Sequence, residues 1–466
     1  MDYKVRGDIL VAASCNLNCE YCYIGKNDSL KEIDKKIIAE WEEKGVLNKL
    51  KENYSKDLKD LDFWGSETTL YLEYIIDEIP EILNYFKELN RFFLSSNFYA
   101  KSSAEKLVRL VDTINKSTDR KIEIGIQTSL DGPHWINDKT RPSASGKGST
   151  DNIIKNLEVM VEGISKIDLK KNFTVKSSFK PTVDIGYIKK LLEEDELKEY
   201  YLFFDGMNEI YEKYKDDLNE TFIWRISSGS PTIVMPGEYT SEGGKIYKEY
   251  IKKNKELILE DAKEPFTKAF NIQSILPYVG QLKGVMYSGK THQRQNRAFA
   301  CGASSYGFSL GLERNSHICH RTFMQESEEY ENLMTQNMDK YQKGRRKLYN
   351  DNFIVDLNDK KKVLNQRYVI NNVRDFAQLK INQIYATIKT LSKVGQVDSV
   401  YIEDDELTEL ASKFLMRIAI CSIDNYLSTG SFHLMPVQII KLWCNGGFQE
   451  LLKGYFEMKE RGMLHE

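Results

Sequence analysis

Three cysteines, Cys15, Cys19 and Cys22, stand in one short stretch, Cys-Asn-Leu-Asn-Cys-Glu-Tyr-Cys, with Tyr21 directly before the last. Thiolates this close can hold three irons of a 4Fe–4S cube and leave the fourth iron without a protein ligand. An open iron is a coordination site for a substrate or cofactor, which a fully ligated electron-transfer cluster lacks. Zinc is the rival metal. It usually takes a second Cys pair or histidines at set spacing, and the nearest histidine after this loop is His134. The bland alternative is three unrelated core thiols. A chain with 7 cysteines among 466 residues would rarely produce this spacing by chance.

The elements that must position this loop follow from hydrophobic patterning. Residues 8–14 are nearly continuously apolar, as in a strand buried on both faces, and the cysteine loop leaves its C-terminal end. Ser29-Leu-Lys-Glu32 has capping-box form ahead of an apolar stripe through Leu30, Ile33, Ile37, Ile38 and Trp41, which predicts a helix. The alternation then repeats. Strands are predicted at Leu61–Trp64, Arg91–Leu94, Ile122–Thr128, Phe173–Phe179 and Tyr201–Phe204. Helices are predicted over 70–89, from Ser102, over 150–165 and near 186–195. Six strand–helix units argue for a parallel sheet, either part of a barrel or an open doubly wound sheet, with functional groups at the C-terminal strand ends. Polar groups stand at such ends: Gly65-Ser66-Glu67, Ser95-Ser96-Asn97, Ser129-Leu130-Asp131-Gly132-Pro133, and Ser178 with Lys180. Each is also readable as an ordinary turn.

The cysteine loop resembles the signature of the radical S-adenosylmethionine (radical SAM) superfamily, down to the aromatic residue before the third cysteine. The stretch from Ser129 through Asp131, Asp138, Arg141, Gly146 and Gly148 resembles a segment of the anaerobic sulfatase-maturating enzymes and related peptide maturases. This resemblance implies a partial (βα)6 barrel of α/β class, a 4Fe–4S cluster on Cys15, Cys19 and Cys22, and S-adenosylmethionine (AdoMet) on the open iron. It implies AdoMet contacts from Gly65, Ser66 and Glu67, where the family has GGE, with Ser in place of the second glycine. Ser95 and Asn97 are implied near the cofactor. Ser129 and Arg141 are implied to contact AdoMet, Arg141 through the carboxylate that its fixed fork suits. Asp131 is expected to shape the loop.

Farther on, Cys301 and Cys319 flank an expected β-hairpin around Glu313–Ser316. That hairpin resembles the opening of a SPASM or twitch module, in which auxiliary Fe–S clusters sit. The later CxxC-rich set of a full SPASM domain is missing, and only Cys421 and Cys444 follow. Cys421 lies in an apolar helical stretch. One auxiliary cluster on Cys301, Cys319 and Cys444, a zinc site using Cys301, Cys319 and His317 or His320, and no metal at all remain open. The domain reading is a barrel over 1–210, a linker and SPASM/twitch-like module over 211–325, and a charged linker with a helical C-terminal region over 326–466.

A net charge of −3 gives no general attraction to nucleic acid. The start of the chain lacks a signal-peptide pattern and no apolar run approaches membrane-spanning length, so no membrane and a cytoplasmic location are expected. The resemblance implies an external one-electron donor such as flavodoxin or ferredoxin. It implies reductive cleavage of AdoMet to a 5′-deoxyadenosyl radical that abstracts hydrogen from a residue of a ribosomally made peptide or protein, leading to cross-linking or oxidation. The alternatives are radical chemistry on a small molecule, or a non-catalytic Fe–S or zinc scaffold. The substrate, the bond made and any catalytic acid or base are not legible.

Overall fold

The computed structural model describes residues 5–19, 22, 29–179, 181–218, 220–225, 232–234, 307–310, 316–317 and 354–355, and residues 246, 249–250, 252–253 and 256. In chain order the elements are β1 (Val5–Ala12), α1 (Ser29–Lys44), α2 (Val46–Asn53), β2 (Leu58–Gly65), α3 (Leu72–Tyr85), β3 (Arg91–Ser96), α4 (Lys101–Ser117), β4 (Ile122–Thr128), α5 (His134–Thr140) and α6 (Thr150–Ser165). There follow β5 (Phe173–Phe179), β6 (Thr182–Asp184), α7 (Ile185–Glu193), α8 (Leu197–Gly206), α9 (Asn208–Tyr214), β7 (Phe222–Arg225), β8 (Thr232–Val234), β9 (Gly307–Leu310), β10 (Ser316–His317) and β11 (Ile354–Val355). The chain divides into two compact units. One comprises residues 1–181, 206–226 and 306–366, and the other 182–205, 227–305 and 367–466.

The first unit is built on one sheet in which β1, β2, β3, β4, β5 and β7 lie side by side and parallel. This is the expected α/β class, with helices between successive strands. On the other side of β1, β9 runs parallel to it, pairing Arg6 with Gly307 and Ile9 with Leu310. β9 and β10 form the antiparallel hairpin expected around Glu313–Ser316, with Ser316 opposite Leu310. β1 therefore has a neighbour on both sides, and Ile9, Leu10, Val11 and Ala12 are all buried, as the apolar run requires.

The register sorts the sheet's two faces. Ile9, Phe63, Leu94, Ile126 and Ser177 share one face and are buried with the apolar stripes of the helices. The opposite face carries Asp62, Arg91, Glu123 and Lys176. Arg91 lies 3.4 Å from Asp60, 3.6 Å from Asp62 and 3.8 Å from Glu123, and Glu123 also pairs with Lys176. Arg91 and Glu123 stand at the starts of β3 and β4, and their partners Asp60, Asp62 and Lys176 come from the neighbouring strands β2 and β5.

One strand expectation is corrected. Tyr201–Phe204 is not the sixth strand but part of α8, and the sixth parallel strand is Phe222–Arg225. The reason lies in the spacing. Leu197, Tyr200, Tyr201 and Phe204 are buried while Leu202 is exposed, an i, i+3, i+4, i+7 stripe rather than strand alternation. In the second unit, Tyr201 Oη lies 2.8 Å from Tyr250 Oη, and β6 pairs parallel with β8. Among the described residues no helix is long and apolar enough to cross a membrane.

Candidate functional site

The cysteine loop emerges from the C-terminal end of β1, at the edge of the sheet where parallel α/β folds place their chemistry. Its first residues are fixed from α1. Asp34 accepts from Ala13 N at 2.6 Å, from Ser14 N at 3.2 Å and from Ser14 Oγ. Burial pushes the Asp34 carboxyl above its ordinary range, while the bonds from Ser14 and Ala13 draw it back. Asp34 is not among the residues that motif spacing singles out, although an acid between Ile33 and Ile37 on a buried helical stripe is a legible signal.

The loop is then strapped to the segment that follows Arg141. Asn18 N donates to Pro142 O at 2.7 Å, Ala144 N donates to Asn16 O at 3.0 Å, and Leu17 bridges Ser143 in antiparallel fashion. The two segments identified separately in sequence are therefore one piece of structure. Arg141 is itself buried, with its Nη1 3.7 Å from Asp131 Oδ1.

The motif around Arg141 has a mechanical explanation. Asp131 is buried and accepts from Thr140 Oγ1 at 2.8 Å, and its own amide is held by Asn137 Oδ1 at 3.0 Å. Asn137 Nδ2 reaches Ser149 Oγ and Thr150 Oγ1, each at 3.0 Å. Asp138 Oδ1 accepts from Ser149 N and Thr150 N, both at 2.8 Å, and from Thr150 Oγ1 at 2.6 Å. It thereby caps α6 from outside and sets a negative charge at the helix's positive end. Gly148 makes room for it, since a Cβ there would meet the Asp138 carboxyl at 2.7 Å.

Burial pushes the Asp138 carboxyl up, but the Thr150 hydroxyl, the Thr150 and Ser149 amides and the charge of His134 outweigh it and leave it below the ordinary range. A depressed carboxyl stabilises the fold above its unfolded pKa and loses that contribution as pH falls through its folded value. Asp138→Ala is expected to cost about 1–2 kcal/mol near neutral pH. In denaturant melts, that difference should begin to shrink as pH falls below the ordinary Asp value of about 3.9 and be lost through the lower folded value.

The Gly65–Ser66–Glu67 stretch laces three strand ends together. Ser66 N donates to Ala12 O at 2.9 Å and Ser66 Oγ to Ala13 O at 2.6 Å. Glu67 is fully buried. Its Oε1 accepts from Thr69 N, Thr69 Oγ1 and Ser96 Oγ at 3.2, 2.6 and 2.8 Å, and its Oε2 accepts from Asn97 N at 2.7 Å. Burial pushes the Glu67 carboxyl up, and those bonds oppose the rise. Here Glu67 is engaged by the protein and ties the end of β2 to the end of β3. Ser129 N donates to Ser96 O at 3.0 Å, which joins the end of β4 to the same cluster.

Asn97 closes the circle back to the cysteines. Its Nδ2 lies 3.4 Å from Cys15 Sγ and 2.8 Å from Asn16 Oδ1, and its Oδ1 accepts from Tyr99 N at 2.9 Å. Leu17 N also points to Cys15 Sγ, at 3.4 Å. Cys15, Cys19 and Cys22 are each half-buried and free of disulfides, and Cys22 N donates to Cys19 O at 3.2 Å. The Cys15 thiol is pushed up to about 12 by burial first, then by Glu67, with Cys19 and Cys22 adding to the rise against the Leu17 amide.

The structure thus places the loop of Cys15, Cys19 and Cys22 beside the segment after Arg141, at the strand ends that carry Gly65, Ser66, Glu67, Asn97 and Ser129. Ser95 lies on the opposite sheet face from Ser96, and its carbonyl accepts from Thr68 Oγ1 at 2.8 Å. Lys180, Cys301, Cys319, His320, Cys421 and Cys444 lie outside the described residues. Among the described residues, no three His, Cys, Asp or Glu side chains close on one point as ligands of a single ion. The donor set suits an Fe–S cube nonetheless: three soft sulfurs in one loop, each able to take a different iron. Two N–H groups aimed at Cys15 Sγ would stabilise the thiolate that a cluster requires, opposing the rise that burial imposes on the free thiol.

No family model matches the sequence, and no curated protein matches it. Among solved structures, native anSMEcpe with bound AdoMet and Cp18Cys peptide aligns over 99% of this chain and 99% of its own, at TM-score 0.50 and 14% identity. This chain shares the anSMEcpe fold. Native anSMEcpe with bound AdoMet aligns over 98% of this chain and 99% of its own, at TM-score 0.49 and 13% identity. In that shared fold, the cysteine loop, Asn97 and the Arg141 segment of this chain meet at the C-terminal edge of the parallel sheet.

Proposed function

We propose that the chain is a radical SAM enzyme that modifies a residue of a peptide or protein. The observation that carries this is the joining of the three-cysteine loop to the segment after Arg141 by Asn18–Pro142, Asn16–Ala144 and Leu17–Ser143. Cys15, Cys19 and Cys22 would hold a 4Fe–4S cluster, which when bound supplies the electron that cleaves AdoMet at its sulfonium. The remaining work is done by the chain. Asp34 fixes the start of the loop, Glu67 and Ser66 fix the strand ends beneath it, and the Asp131–Asn137–Asp138 network fixes the segment after Arg141. Arg141 would pair with the AdoMet carboxylate, and Ser129 and the Gly65–Ser66 backbone would bind its other polar groups. A peptide substrate is supported by the shared fold, because the anSMEcpe structure aligned above holds AdoMet together with a peptide.

The test is AdoMet turnover by the anaerobically reconstituted full chain with dithionite. Methionine and 5′-deoxyadenosine should accumulate, and Cys22→Ala should fall to background. Equal product from wild type and variant would overturn the proposal.

A further inference from the structure

We infer that Asn97 sets the reduction potential of the cluster by donating an N–H···S hydrogen bond to Cys15 Sγ; this rests on the function proposed above. The geometry is over-determined. The Tyr99 amide fixes which side of the Asn97 carboxamide is oxygen, so both N–H bonds of Nδ2 face the loop, one toward Cys15 Sγ and one toward Asn16 Oδ1. The backbone amide of Asn97 is held by Glu67 Oε2. Phe98, next in the chain, has φ 53°, a left-handed conformation that a non-glycine residue adopts only where its surroundings impose it. Its amide is held by Ser96 Oγ at 3.1 Å.

Asn97 is 3% exposed, so water does not compete for its side-chain N–H groups. A structural role accounts for the bond to Asn16, but it does not require a second donor aimed at a ligand sulfur. Reduction adds one electron and with it negative charge on the cluster and its thiolates. A fixed N–H dipole pointing at one of those sulfurs stabilises the reduced state more than the oxidised one, which raises the potential. Leu17 N contributes in the same sense through the backbone, whereas Asn97 does so through a side chain that sequence can change.

The experiment is a redox titration of the reconstituted full chain, with dithionite as the electron donor and the signal of the reduced cluster as readout. Two variants are compared with wild type. Asn97→Leu keeps the bulk and removes both N–H groups. Asn97→Ser keeps an acceptor for the Tyr99 amide but is too short to reach Cys15. At the poise where the wild type is half reduced, the ratio of reduced to oxidised cluster should fall about tenfold in each, a shift of ~59 mV to more negative potential.

An unshifted potential in either variant, with iron and sulfide content at the wild-type level, overturns the inference. If neither variant holds a cluster, Asn97 is a structural residue and the inference also falls. A wild-type chain without iron and sulfide would instead defeat the proposed function itself.

Discussion

Gly65→Ala is expected to take the site apart. Gly65 ends β2 at φ 140°, and a Cβ built there would lie 2.1 Å from the backbone oxygen of Ala12. The atom in the way is main chain, so no side-chain rotation relieves the clash. It is also the acceptor for Ser66 N. Relief therefore means parting the ends of β1 and β2 at the point from which the cysteine loop departs. The backbone conformation alone costs on the order of 1–3 kcal/mol for a residue with a Cβ, and the lost strand contact adds to that. A total of about 3–4 kcal/mol should lower the thermal midpoint by roughly 3–7 °C, read by calorimetry. Iron retention after reconstitution should fall with it. A variant with wild-type midpoint and iron content would show that this strand end does not need the close approach.

Asp34→Ala should act on the same loop from the other side, with less effect on the sheet. It removes the acceptor for Ala13 N, Ser14 N and Ser14 Oγ in one step, just before Cys15. Buried donors left without a partner cost about 1–3 kcal/mol each, and relaxation toward water recovers part of that. The expected outcome is a loss of about 2–4 kcal/mol with a large fall in cluster occupancy, while β2 to β5 stay formed. Hydrogen exchange would check it. Protection should collapse for Ala13 and Ser14 and persist in β3 and β4. Unchanged protection at Ala13 would contradict the anchoring role.

The elements with strong periodicity are legible in the amino-acid sequence itself. β1 through β5 fall where apolar runs are bounded by turn residues, and α1 begins at Ser29, where the sequence pattern predicts a helix start. Tyr201–Phe204 misleads because four adjacent apolar residues fit a strand or a buried helical turn equally well, and only burial on one side of α8 decides between them. Phe222–Arg225 is short, and its role as the sixth strand comes from pairing with β5, a tertiary fact. The short helix α5 is hidden as well, inside what reads as a glycine-bearing loop.

For the site, type and spacing announce the cysteines and the Ser129–Gly148 segment. Position at a strand end announces Asn97 and Glu67, but what they touch is set by the register of β2, β3 and β4. Sequence proximity does not encode that Asn97 reaches a sulfur 82 positions earlier, or that Pro142 accepts from Asn18.

If Cys15, Cys19 and Cys22 hold a 4Fe–4S cluster with one iron open to AdoMet, electron paramagnetic resonance of the reduced, reconstituted chain should show a signal whose shape changes when AdoMet is added. The Cys15→Ala/Cys19→Ala/Cys22→Ala variant should lose that response together with about four irons per chain. A signal indifferent to AdoMet, or iron content unchanged in the variant, would contradict this assignment.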